Sequence, residues 1–331
     1  MIALAGVFAI PPLLGLRGCL RLTALTCCCL SAPAGLLRAQ TGMVRQIIAG
    51  PGLDIDVAPS SDGKQLVYAS SRGGALEIWL RDVDGGPLQQ ITTTSRNSVD
   101  RYPNFAPDGR SIFFQSDRGG GIRNLWMIDL STRALSQLTS FVDGAGASHP
   151  VLSPDGRNIC FTRTTASGSV SIWLIGIDGR GARELSTGVD CAWLPDGRVV
   201  FSRPSDLQNP QRYDLWVVSP SGDPGRTLVA SSQPWVRNPV PSRDGRWVAY
   251  TVYEAPPAGD IQEVSGGFQI NPRVSASIWL ASLADPDQPH RQIVTGSFNS
   301  YMSWSLDGRQ LLFTSTRSGS ADVWAIEIDA R

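Results

Sequence analysis

Only two histidines, His149 and His290, occur in the 331 residues, so a metal centre built on several imidazoles is excluded. The chain has neither a Gly-x-Ser-x-Gly elbow nor a phosphate-cradling Walker loop, and Gly144-Ala-Gly146 lacks the third glycine of a dinucleotide fingerprint. What stands out is one polar residue at the same place in each of several repeating segments: Asp56, Tyr102, His149, Asp190, Asn238 and Tyr301. If each points to a common axis, they form a polar collar at a channel mouth. Two carboxylates, one imidazole and two phenols could hold a cation, with Ca2+ the candidate, or a partner's inserted chain. A hydrated channel lining with no specific ligand is the competing reading. His149 with Asp190 could also carry acid–base chemistry, the one route to an enzyme here. The sequence calls for no other cofactor.

These positions are equivalent because the chain repeats. An Asp-Gly-basic triplet recurs at Asp62-Gly63-Lys64, Asp108-Gly109-Arg110, Asp155-Gly156-Arg157, Asp196-Gly197-Arg198, Asp244-Gly245-Arg246 and Asp307-Gly308-Arg309. In step with it, an aliphatic residue precedes tryptophan at Trp79, Trp126, Trp173, Trp216, Trp279 and Trp324. The two series keep one order over a period of about 47 residues, the signature of a repeat architecture. Apolar residues alternate on both sides of each triplet, which gives short strands with two faces. Asp then Gly at the corner suits a type I turn closed by a glycine bulge. The recurrent Trp reads as core between neighbouring sheets.

Each unit therefore predicts a four-stranded antiparallel sheet, and such sheets cover both faces only when stacked around a ring. The fold class is all-β, a six-bladed propeller. The last unit stops after its third strand, whereas Met43-Val-Arg-Gln-Ile-Ile-Ala-Gly50 resembles the fourth strand of unit five, His290-Arg-Gln-Ile-Val-Thr-Gly296. The N-terminal strand is thus expected to complete the last blade.

The intact Ser-Pro-Asp-Gly-Arg unit at 153–157 and the loops Ser70-Ser-Arg-Gly-Gly74, Ser116-Asp-Arg-Gly-Gly120 and Ser315-Thr-Arg-Ser-Gly319 resemble the WD-like propeller repeats of the TolB family over about residues 43–331. TolB proteins are periplasmic partners of the peptidoglycan-associated lipoprotein and carry an α/β domain ahead of the propeller. The resemblance implies a docking role; a matching α/β domain is not expected here.

Ahead of the repeats, Arg17 and Arg21 precede an apolar run, Leu22–Leu37, that ends at Leu-Arg-Ala-Gln, the order of a secretory signal. Residues 1–39 are read as that signal and 40–331 as the propeller, placing the protein in the periplasm or outside the cell with no membrane span after cleavage. A membrane anchor and a lipoprotein are the alternatives. Cys19, Cys27, Cys28 and Cys29 lie in the signal, which leaves Cys160 and Cys191 in different repeats, where they read as buried filler. Formal charge is zero, and removing Arg17, Arg21 and Arg38 leaves 26 basic against 29 acidic residues, so nucleic acid is excluded as a partner.

The expected function is a monomeric, non-catalytic scaffold for a protein partner of the envelope or extracellular space. A small-molecule or cation sensor and a propeller hydrolase or lyase are the alternatives. Because the Asp-Gly turns are short and uniform, binding is expected on the opposite face, where loop 202–214 and insertion 255–275 lie. Phe268 and Ile270 of the insertion would supply its apolar contacts.

Overall fold

The structure, a computed structural model, describes residues 43–329 except 95–97, 142–145, 208–211, 231–234, 256–260, 265, 266 and 286, with backbone alone at 261–264, 267 and 268. The predicted signal lies outside the described residues, as do parts of both long loops. The described residues form six four-stranded antiparallel sheets and one two-stranded hairpin. No described helix is long and apolar enough to cross a membrane.

The innermost strands are Asp54–Pro59, Asp100–Phe105, Gly146–Leu152, Val189–Trp193, Trp235–Pro241 and Asn299–Trp304. Each touches the next, and the sixth touches the first, which makes a ring around one axis. Closure takes the expected form. Val44–Ile48 pairs antiparallel with Asp322–Glu327, setting Val44 opposite Ile326 and Gln46 opposite Trp324. Ile48 is buried at 1% exposure, and Gln46 donates to Asp322 at 2.9 Å. Without this strand, Asp322–Glu327 would present an unpaired edge.

The Asp-Gly turns follow from local chemistry. In the first blade Asp62 Oδ1 accepts from the Lys64 amide at 3.0 Å and from Ser60 Oγ at 2.6 Å, while Gly63 takes φ +71°, open to glycine at no steric cost. The repeated Ser-x-Arg loops have an equally structural role. Arg72, Arg118 and Arg317 each donate Nε to the serine two residues back and stack over the blade's tryptophan at 5.3, 5.7 and 5.2 Å. The recurrent tryptophans are half-buried: each packs against an apolar cluster that includes residues of a neighbouring blade, as expected, and at Trp79, Trp126 and Trp324 a guanidinium covers the ring's other side.

The insertion is more ordered than an irregular excursion. Ile261–Val264 pairs with Gly267–Ile270 as a hairpin. Its return strand delivers Ile270 to an apolar cluster with Leu53, Tyr253 and Phe298, at 7% exposure. Ile270 is therefore a core residue and not the surface contact expected, since the hairpin folds back on the ring. The Phe268 side chain lies outside the described residues.

Candidate functional site

The six aligned residues share a backbone conformation as well as a position. Asp56, Tyr102, His149, Asp190, Asn238 and Tyr301 have φ of 56°, 53°, 54°, 55°, 51° and 51°, in the left-handed region. At each, the pairing of the first two strands slips, for example between Ile55 and Ala58, or Arg237 and Val240, so every inner strand carries a bulge there. Arg133 is the one other non-glycine described residue with positive φ. The conformation costs a side-chain-bearing residue on the order of 1 kcal/mol, yet none of the six is glycine. The side chains are kept in spite of strain.

Asn238 provides a test. Its amide donates to Tyr253 Oη at 3.2 Å and Ser300 Oγ at 3.1 Å, and both Asn238→Gly and Asn238→Ala lose these bonds. The difference between them isolates the backbone, so the glycine variant should be more stable by about 1 kcal/mol in urea unfolding. Equal midpoints would show an unstrained bulge.

Beyond the bulges the strands run to the Asp-Gly turns and enclose an axial cavity of about 650 Å³. All six aligned residues line it. Phe105, Leu152, Trp193, Val240, Met302 and Trp304 supply its walls, and exposed Ser61, Pro107, Pro154, Pro195 and Arg243 surround its opening. The collar is thus the floor of this cavity, at the end away from its opening. On its far side Asp54, Ile55, Val236, Asn299 and Ser300 are wholly buried, whereas Ser148, Trp235 and Arg237 stay half-buried. The opening lies among the uniform turns, the face that loop variation had argued against.

Arginines that the sequence reading missed hold the floor together. Arg101 clamps Asp56 with Nε at 2.9 Å and Nη2 at 3.1 Å, and the Tyr102 amide adds a bond at 3.2 Å. Arg237 Nε meets Asp190 at 2.5 Å, with the Asn238 amide at 3.4 Å. The residues just before the collar spell Ile55, Arg101, Ser148 and then Val189, Arg237, Ser300, so the two clamps face each other across the ring. That half-ring repeat was the available signal. Tyr102 stacks on His149 with centroids 3.8 Å apart and meets Tyr301 edge-on at 6.1 Å. The Arg101 guanidinium lies 4.3 Å from the Tyr102 ring and 4.8 Å from the Tyr301 ring. Together they link the floor residues of blades one, two, three and six.

These contacts set the chemistry. Burial pushes the Asp190 carboxyl up, but Arg237, His149 and the Asn238 amide together outweigh it and hold the group below its ordinary value. Burial pulls the His149 imidazole down, with Asp190 only partly opposing, so the ring is neutral at pH 7. His149 Nε2 stands 3.8 Å from Asp190 Oδ1, too far for a hydrogen bond, and its Nδ1 has no hydrogen-bond partner. Asp190 therefore does not orient the imidazole as a base. The two carboxylates considered for Ca2+ are each engaged by a guanidinium, Asp56 by Arg101 and Asp190 by Arg237. Among the described residues no three His, Cys, Asp or Glu side chains group as a metal site.

Blades of this number and closure, ringed about one axis, define a six-bladed β-propeller. Residues 35–205 match the model of the TolB beta propeller domain, and the chain belongs to that family. The putative TolB of Agrobacterium tumefaciens superposes with a TM-score of 0.60 at 16% identity, covering 87% of this chain and 97% of that one. TolB from Acinetobacter baumannii gives 0.56 at 16% identity over 84% of this chain but 64% of its own length. A gluconolactonase from Xanthomonas campestris shares the fold at 0.61 and 12% identity, covering 88% and 91%. An uncharacterized protein of Agrobacterium fabrum is 30% identical over 76 residues, 23% of this chain and 25% of that protein. The chain thus spans about a quarter of that curated relative.

Proposed function

We propose that this chain is a monomeric, non-catalytic scaffold of the periplasm or extracellular space that takes an extended segment of a protein partner into the axial cavity. The carrying observation is an apolar-walled space of about 650 Å³ over a floor whose charges are already paired. Its size falls within the roughly 300–1,000 Å³ usual for ligand sites. Trp193, Trp304 and Phe105 give apolar area to bury, and Asn238 and the neutral His149 offer hydrogen bonds without demanding a charged ligand. Rigid prolines at the opening lose little entropy when covered. Membership of the TolB propeller family supports a docking role.

The acid–base alternative lacks an oriented dyad, with His149 and Asp190 3.8 Å apart. The test fills the cavity. Val240→Trp should cut capture of the partner from envelope extract at least tenfold, while exchange of 257–268 for a short Gly-Ser link, which leaves Ile270 in place, should not. Capture lost only in the loop exchange would return the docking surface to the crossing face. Capture of a small molecule alone would favour the sensor reading.

A further inference from the structure

The repeat places two equivalent positions at each seam between blades, and at three seams their side chains share one apolar cluster. One precedes the residue opposite the recurrent Trp on the second strand; the other follows the collar residue on the next blade's inner strand. At the closing seam these are Leu312 and Val57, which share one apolar cluster. Between blades five and six they are Ala249 and Met302, in another. Between blades three and four both are cysteine. Cys160 precedes Phe161, which pairs with Trp173, and Cys191 follows Asp190. Both sit in one cluster with Leu174 and Phe201, at 0% and 4% exposure. They are the only free cysteines among the described residues. Filler alone gives no reason for both to fall in the two halves of a single seam pair.

We propose that Cys160 and Cys191 are a covalent staple across this seam. The Sγ–Sγ bond forms by exchange with an external disulfide, such as oxidised glutathione or a disulfide oxidoreductase. The protein loses two thiol protons and two electrons, and the oxidant's disulfide is reduced to two thiols. Burial and the neighbouring Cys160 thiol push the Cys191 thiol well above its usual range, which starves the folded seam of thiolate. Pairing therefore belongs to the stage of folding when blades three and four dock. Its effect reaches the cavity floor, because Cys191 lines the cavity and the adjacent Asp190 amide donates to Thr162 Oγ1 of the Cys160 strand at 3.0 Å.

The test refolds the full chain in a glutathione redox buffer, alkylates it in denaturant without reductant, and maps the peptides. The expected result is a Cys160–Cys191 linked peptide and a melting temperature that falls by about 5 °C on reduction, since the bond closes a loop of about 30 residues. The Cys160→Ala/Cys191→Ala variant should show no such fall. Two alkylated thiols, or glutathione attached to either one, would overturn the staple; this reading rests on wild-type peptides and so does not depend on the variant's folding.

Discussion

Removal of Val44–Ile48 should lower the melting temperature by roughly 10 °C or more, the largest effect expected of any short deletion. The strand hydrogen bonds along Asp322–Glu327, and Ile48 is 1% exposed in a cluster with Val323 and Ala325. Loss of Ile48 burial alone costs about 2 kcal/mol, and the lost ladder bonds add on the order of 0.5–1.5 kcal/mol each. A domain of this size shifts by about 2–4 °C per kcal/mol. The three-stranded remnant would also offer Asp322–Glu327 as an open edge for pairing between chains. A synthetic peptide of residues 43–51 added to the truncated protein should recover the loss in a concentration-dependent way. Calorimetry with and without the peptide is the check, and an unchanged melting curve after deletion would dismiss strand closure as a source of stability.

The second large effect concerns the floor. Arg237→Leu leaves Asp190, 4% exposed, without its cation, which should cost about 3–5 kcal/mol at pH 7.5. The pH dependence then changes sign. In the wild type the Asp190 pKa is depressed, so its contribution is complete above the unfolded value of about 3.9 and is lost as pH falls through the folded value. In the variant burial, the largest influence and one that raises the pKa, is opposed only by the Asn238 amide and His149; the folded state then binds a proton more readily than the unfolded chain, and stability increases as pH falls toward 5. The gap between wild type and variant should narrow by about 1 kcal/mol or more between pH 7.5 and 5, and Asp190→Asn in the same chain should recover much of it. Urea unfolding at the two pH values decides this. A gap independent of pH would mean that Asp190 is not the group left stranded.

Sequence reasoning reached the fold because the features that define it are local and repeated. An Asp-Gly turn closes within its own few residues, so Asp62 to Lys64 carries its own instructions. Alignment of those turns also picked out the floor residues, since six equivalent strands place equivalent side chains. Their orientation was not legible. The bulge at each collar residue is written without glycine, so nothing at Asp56 or Tyr301 announces a left-handed backbone. Arg101 and Arg237 were passed over because each pairs with a carboxylate about one full repeat earlier in the chain. Ile270 was taken for surface because its burial depends on Leu53 and Phe298, which the hairpin reaches only after the ring has closed.

The proposal that a partner enters the axial cavity from the Asp-Gly face is tested most directly by site-specific photocrosslinking. A photoreactive residue replaces Val240 on the cavity wall or, in a second protein, the exposed Gln269 on the insertion hairpin. After irradiation in envelope extract, crosslinked peptides are identified by mass. The expected result is crosslinks at 240 to one extended segment of a single protein, with none at 269. Filling the cavity by Ala192→Trp should suppress them. Crosslinks at 269 with none at 240 would contradict the account.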